Sequence, residues 1–89
     1  MMNKVLVSVF VPELDNSFDV FIPVNELVWK IKKMIVKSIS DLTGGALDSQ
    51  GEYVLINKIS STVYDNNLTV INTDIRNATE LVLLLSQKR

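Results

Sequence analysis

The 89-residue chain contains no cysteine and no histidine. The absence of cysteine excludes a disulfide framework, thiol chemistry and a zinc–thiolate site. The absence of histidine removes the usual general base near neutral pH and the commonest metal ligand. A Ser/Lys pair could still act, but Lys37 and Ser38 are adjacent positions of a predicted helix and point apart. We therefore predict a protein that is not an enzyme and has no catalytic residue, cofactor or metal site.

The chain also lacks a strong net charge and a long apolar run. Its net charge of -1 gives no global attraction to nucleic acid or to anionic lipid. No apolar stretch approaches the ~20 residues that a membrane-spanning helix needs. The apolar run before Pro12 is not followed by a small-residue cleavage site, so it does not read as a signal peptide. We expect one domain over residues 1–89 that is cytoplasmic and does not insert directly into a membrane.

Alternating apolar residues near the start of the chain predict two strands joined by a turn over residues 12–17. The inward positions are Val5, Val7, Val9 and Val11 in the first strand and Phe18, Val20 and Ile22 in the second. Alternation places Leu6, Phe10 and Phe21 on the opposite face of this hairpin.

A helix is predicted from Asn25, the expected N-cap, to Ser38. Its core face is expected to contain Leu27, Val28, Ile31, Met34, Ile35 and Ile39. Trp29 and Val36 lie outside that face, and Lys30, Lys33 and Lys37 make the far side basic. Gly44-Gly45 is expected to stop the helix.

Three more strands are predicted at Tyr53–Ile56, Ser61–Tyr64 and Glu80–Leu85, with one helical turn within Val70–Arg76. The nearly continuous apolar run Leu81–Leu85 favours a central position for the last strand. The predicted fold class is α+β, a mixed sheet of four to five strands packed on one main helix. The first and last strands are expected to pair in parallel at its centre.

The order of these elements resembles the ubiquitin-like β-grasp fold, and within it the YukD/EsaB-like accessory proteins of bacterial type VII (WXG100) secretion. The resemblance covers nearly the whole chain and rests on hydrophobic spacing and turn residues. The segments that carry it are Phe18–Pro23, the helical spacing Val28, Trp29, Lys30, Ile31 and Ile35, then Val54–Lys58, Leu68, Asp74–Asn77 and Glu80–Leu81. In two places the chain departs from that group. Leu27 stands where the group often has proline, and the chain runs past the last strand, where the group tends to stop.

This resemblance implies a cytoplasmic component that acts beside a membrane-anchored secretion ATPase, with no catalytic residues to carry over. Ubiquitin and the related sulfur carriers need a C-terminal Gly-Gly, whereas this chain ends Ser86-Gln87-Lys88-Arg89. We therefore expect an accessory protein that is not conjugated to its partners. The alternatives are a degenerate sulfur carrier or protein modifier, and a homodimeric scaffold domain.

Apolar residues placed outside the core predict a protein-binding surface. If Val54 and Ile56 face the core together with Leu81, Leu83 and Leu85, alternation turns Leu55, Val82 and Leu84 outward. Several apolar residues on one sheet face favour an interface, and this face is the usual recognition surface of ubiquitin-like folds. We predict that a protein partner docks on Leu55, Val82 and Leu84, with Trp29 as a second anchor. A homodimer through the same face is the alternative, and nucleic acid is not an expected partner.

Overall fold

The computed structural model describes residues 3–87, and the structural statements below concern those residues. It contains four strands, which are β1 (Lys4–Val11), β2 (Asn16–Pro23), β3 (Glu52–Asn57) and β4 (Glu80–Gln87). One long helix, α1 (Val28–Leu42), packs on the sheet, and two short 3₁₀ turns occupy Pro12–Leu14 and Val70–Asn72. Lys88 and Arg89, part of the predicted extension beyond the last strand, lie outside the described residues.

The strands form one mixed sheet in the order β2-β1-β4-β3. β1 and β4 pair in parallel at its centre, and β2 and β3 pair antiparallel on the two sides. β1 and β4 are the first and last strands, and the long stretch of chain between them provides the crossover connection that a parallel pair needs. The predicted α+β class and the central parallel pair are therefore confirmed.

The hairpin of β1 and β2 follows the predicted alternation. The inward residues Val7, Val9, Val11 and Ile22 are fully buried, while Val5, Phe18 and Val20 pack on the edge of the core. On the other face, Leu6 and Phe21 are directly opposite each other and are exposed. The turn is shorter than predicted, since Asp15 takes a left-handed conformation with φ of 48° and β2 begins at Asn16.

The predicted strand at Ser61–Tyr64 is wrong. This segment makes only one isolated bridge, in which Val63 lies opposite Ile56. Three backbone bonds join it to β3: Tyr64 N donates to Leu55 O at 3.0 Å, Asn57 N donates to Thr62 O at 2.8 Å, and Ser61 N donates to Asn57 O at 2.8 Å. Ser61 has a φ of 63°, which turns the chain immediately before the bridge, so an extended ladder does not form.

α1 begins and ends later than the predicted range Asn25–Ser38. Its N-cap residue is Leu27, which makes no side-chain capping bond. The loop that precedes the second 3₁₀ turn supplies partners instead, because Val28 N donates to Leu68 O and Trp29 N donates to Asn66 O. At the other end, Gly44 and Gly45 have φ of 68° and 87°, as expected for glycines that stop a helix.

The helix is also rotated relative to the predicted core face. Val36, which was expected outside, is buried, whereas Met34 is 43% exposed. The remaining buried helical residues are Val28, Ile31, Ile35 and Ile39. Val36 is covered because it faces the start of β3 and the chain that leads into it, and Met34 lies on the opposite flank of the helix.

The inward phase of β3 is the reverse of the prediction. Leu55 was expected to point outward, but it is fully buried, and Tyr53 is buried beside it. The reason is the pairing with β4, in which Leu55 lies opposite Leu83 and Tyr53 lies opposite Leu85. Residues opposite each other share a sheet face, so the inward side of β4 forces Leu55 into the core.

Candidate protein-binding surface

Strand pairing places four apolar side chains in one row across the outer face of the sheet. Phe10 lies opposite Val82, Val82 opposite Ile56, and Ile56 opposite Val63. Neighbouring strands are about 4.8 Å apart, so the row is about 14 Å long. Phe10, Val82 and Ile56 are half-buried, whereas Val63 is 60% exposed.

A second apolar pair lies directly beside this row. Val54 is opposite Leu84, and the side chain of Leu84 is exposed. We call residues 61–64, which form the isolated bridge to β3, the bridging segment. We define the outer patch as these six residues from β1, β3, β4 and the bridging segment: Phe10, Val54, Ile56, Val63, Val82 and Leu84. The Leu6–Phe21 pair on the same face is separate, because the polar pair Ser8–Asp19 lies between it and the row.

Charged side chains border the outer patch. Lys58 forms an ion pair with Glu80 at 3.6 Å, and its ammonium lies 5.9 Å from the centroid of the Phe10 ring. Both partners of the ion pair are about half exposed, so the pair adds little to folding stability. An apolar centre with a solvated charged rim is the usual anatomy of a protein interface.

A hydrogen-bonded cluster holds Val63 in place. The neighbouring Tyr64 is buried, its hydroxyl donates to the Asp74 carboxylate, and it accepts a bond from Asn57 Nδ2 at 3.1 Å. Burial first, and then the bond to Asp74, raise the pKa of Tyr64 to about 12. The cluster ties the bridging segment to the end of β3 and so fixes the free end of the apolar row.

The loop before β4 is fixed to β1 in a similar way. Leu6 N donates to Asn77 Oδ1 at 2.8 Å, and Ala78 N donates to Leu6 O at the same distance. These bonds lie at Leu6, just before the pairing of β1 with β4 begins at Ser8. They place Glu80 opposite Ser8, and this register of β4 against β1 brings Val82 beside Phe10.

The predicted site residues do not form a single surface. Val82 and Leu84 lie on the outer face as expected, while Leu55 is in the core and cannot be contacted by a partner. Trp29 is 38% exposed on α1 and lines a groove beside β3 that reaches the patch only at Val54. Sequence reasoning missed Val54, Ile56 and Val63. Their position on the outer face follows from the pairing of β3, for which the apolar run Tyr53–Ile56 contains no local signal.

Two further properties bear on the function of the described part of the chain. Residues 3–87 contain no group of three or more acidic side chains arranged to hold a metal ion. They also contain no helix that is both long enough and apolar enough to cross a membrane.

Compared by sequence, the chain matches no protein-family model and no curated protein. Its structure is similar to that of the ubiquitin-like domain of the Mycobacterium tuberculosis type VII secretion system protein EccD1. The TM-score is 0.71 at 13% identity, over 93% of this chain and 99% of that one. A ubiquitin-like domain of an Arabidopsis thaliana protein gives a TM-score of 0.70 at 20% identity, over 97% of this chain and 81% of that one.

The fold is the ubiquitin-like β-grasp. A chain of the toluene 4-monooxygenase HD complex with the inhibitor 4-bromobenzoate has the same fold, with a TM-score of 0.77 at 7% identity. The match covers 94% of this chain and 100% of that one. The β-grasp thus occurs in a secretion protein and in an enzyme complex, and fold alone does not assign function. The features that bear on the function of this ubiquitin-like chain are therefore those of its surface.

Proposed function

We propose that this chain is a non-catalytic ubiquitin-like adaptor of a bacterial type VII secretion system and binds a protein partner in the cytoplasm through the outer patch. The observation that carries the proposal is the continuous apolar row across the sheet, from Phe10 to Val63. The resemblance to the YukD/EsaB-like proteins and the structural likeness to the EccD1 domain support the choice of secretion system. The partner is the cytoplasmic part of a membrane-anchored secretion ATPase.

The outer patch suits tight docking because its side chains are already ordered. Phe10, Ile56 and Val82 belong to paired strands and are half-buried, so a partner that covers them removes apolar surface from water with little further loss of freedom. The exposed ends of the patch, Val63 and Leu84, extend the contact in two directions. The Lys58–Glu80 pair at the rim orients the partner more than it adds affinity.

The test is affinity capture from native cell lysate with wild type, Val63→Asp, Leu84→Asp and the control Phe21→Asp. Phe21 is 63% exposed on the same sheet face but outside the patch, so it matches both test positions in apolar character and matches Val63, which is 60% exposed, in exposure. Circular dichroism and urea unfolding verify the fold of each variant. We expect a secretion ATPase to be captured by wild type and by Phe21→Asp, and to be lost with the two patch variants.

Two other outcomes would contradict the proposal in different ways. Capture of the ATPase by all four proteins would exclude the outer patch as its docking site. Capture that never contains a secretion component would exclude the type VII role. Sedimentation of the wild type at several concentrations reports on the homodimeric alternative, because a dimer that Leu84→Asp dissociates would place a second copy on the patch.

A further inference from the structure

A groove that meets the outer patch only at Val54 runs between α1 and the start of β3. It is open to solvent and has a volume of about 900 Å³. One wall is helical and is lined by Trp29, Lys32, Lys33, Val36 and Lys37. The other wall contains residues 49–51 and the first half of β3.

The helical wall is basic although the chain as a whole carries a charge of -1. Of the nine lysine and arginine residues of the whole chain, four lie within residues 30–37. Three lysines line the groove together with two carboxylates, Asp41 and Glu52. Lys37 pairs with Asp41 at 3.3 Å, but both side chains are at least 70% exposed, so this pair is weak and can rearrange.

Lys33 is the lysine of this wall whose charge is available to a ligand. It forms no ion pair with a carboxylate among residues 3–87, and its ammonium lies 5.5 Å from the centroid of the Trp29 ring. Trp29 and Lys33 therefore present an aromatic surface and a positive charge side by side. A side chain that is apolar next to one that is acidic would complement both.

The opposite wall is the backbone edge of a strand. β3 is an edge strand of the sheet, and segment 62–64 bonds only to its second half, at Leu55 and Asn57. In the first half, Lys32 Nζ donates to Tyr53 O at 2.8 Å. A lysine amine thus occupies the position that the N–H of a neighbouring strand would take, which is a known way to block an exposed edge.

Partial burial in this position disfavours the charged form of Lys32. Desolvation lowers its pKa, and the nearby Glu52 only partly opposes that effect. An incoming carboxylate would give the ammonium a charged partner and leave Tyr53 O free to accept a backbone N–H. At this edge of β3, the addition of a partner strand and the pairing of Lys32 with a partner carboxylate therefore favour each other.

We propose that the groove binds an extended acidic segment of a partner protein, which adds as a strand to the first half of β3. Its carboxylates pair with Lys32 and Lys33, and an apolar side chain between them contacts Trp29. The wall from Trp29 to Lys37 is about 12 Å long, which is the length of about four extended residues. This second surface does not depend on the proposed function of the outer patch.

The probe is a displayed library of random tryptophan-free dodecapeptides, selected on wild-type protein, with the enriched sequences then made as synthetic peptides. Trp29 is the only tryptophan in the chain, so its fluorescence reports directly on occupation of the groove. We expect enriched peptides to carry acidic residues around an apolar one, to change the Trp29 emission and to bind more weakly at high salt. Lys33→Glu should weaken binding about tenfold or more, the effect of losing one charge-assisted contact.

Lys4→Glu is the matched control, because Lys4 is exposed at the start of β1 and the substitution makes the same change of charge. Amide chemical shifts then locate the peptide, and we expect changes at residues 32–37 and 52–54. Absence of acidic peptides after selection would overturn the proposal. Equal weakening by Lys33→Glu and Lys4→Glu would also overturn it, as would shifts confined to Ile56, Val63 and Val82.

Discussion

At the scale of single residues, polar side chains hold parts of the backbone in place, although no polar or charged residue among residues 3–86 is buried apart from the two tyrosines. Tyr64, Asp74 and Asn57 form one hydrogen-bonded cluster under the bridging segment. Lys32 covers the exposed carbonyl of Tyr53, and Asn77 bonds to the backbone of β1. Each contact joins positions that are distant in sequence or belong to different elements. These residues therefore fix the register and the loops that apolar packing alone leaves undetermined.

Replacement of Tyr64 by phenylalanine should destabilise the fold by about 1–2 kcal/mol, because Asp74 and Asn57 lose their partner. It should also change the pH dependence of stability. The pKa of Tyr64 in the fold, about 12, lies above its ordinary value near 10, so the fold favours the neutral phenol. That stabilisation is complete below pH 10 and is lost as the pH rises from about 10 to 12.

Urea unfolding of wild type and Tyr64→Phe between pH 8 and pH 11.5 measures this difference. Comparison of the two proteins is needed because burial also raises the pKa of Tyr53, and its contribution is common to both proteins. We expect the free energies of unfolding of the two proteins to converge as the pH rises above 10. A constant difference over the whole range would show that Tyr64 does not titrate differently in the fold.

At the scale of elements, the main result is the phase of β3. Its residues Tyr53–Ile56 are all apolar, so either alternation was compatible with the sequence. The observed phase buries Leu55 and places the Val54–Leu84 pair on the outer face of the sheet. The corrected phase keeps the sheet face as the candidate surface but replaces Leu55 at its centre with Ile56.

The two leucines Leu55 and Leu84 provide a matched test of this phase. Leu55→Ala removes a fully buried side chain and should reduce the free energy of unfolding by about 2–5 kcal/mol. Leu84 is 38% exposed, and Leu84→Ala should cost less than about 1 kcal/mol. Chemical denaturation of the two variants decides, since similar losses at both positions would be inconsistent with Leu55 inside and Leu84 outside.

At the scale of the whole molecule, the sheet order makes stability uneven. β1 and β4 each have a strand on both sides, while β2 and β3 form the two edges. The two proposed binding surfaces both include β3, at its outer face and at its exposed edge. Both proposed surfaces therefore use a strand that has a neighbouring strand on one side only, while the central strands β1 and β4 supply the rest of the outer patch.

Hydrogen exchange should reflect this arrangement. We expect the amides of Val9 and Leu81, which lie opposite each other in the central parallel pair, to exchange only through global unfolding, because their strands are enclosed on both sides. Amides of Tyr53 and Leu55, which belong to the edge strand β3, should exchange faster through local opening. Exchange followed by NMR at several denaturant concentrations measures both, and equal protection of β3 and β4 would contradict a weaker edge.

The sequence by itself determined the α+β class, the hairpin with its inward valines, the presence of one long helix and the central position of the last strand. These features follow from local periodicity and from one nearly continuous apolar run. The tertiary structure alone decided the phase of β3, the rotation of α1 and the loss of the predicted strand at Ser61–Tyr64. It also assembled the outer patch from four separate segments of the chain. The physical reason is that strand register and helix rotation are fixed by contacts between distant residues, such as Leu55 with Leu83, and a local apolar pattern carries no information about its partner.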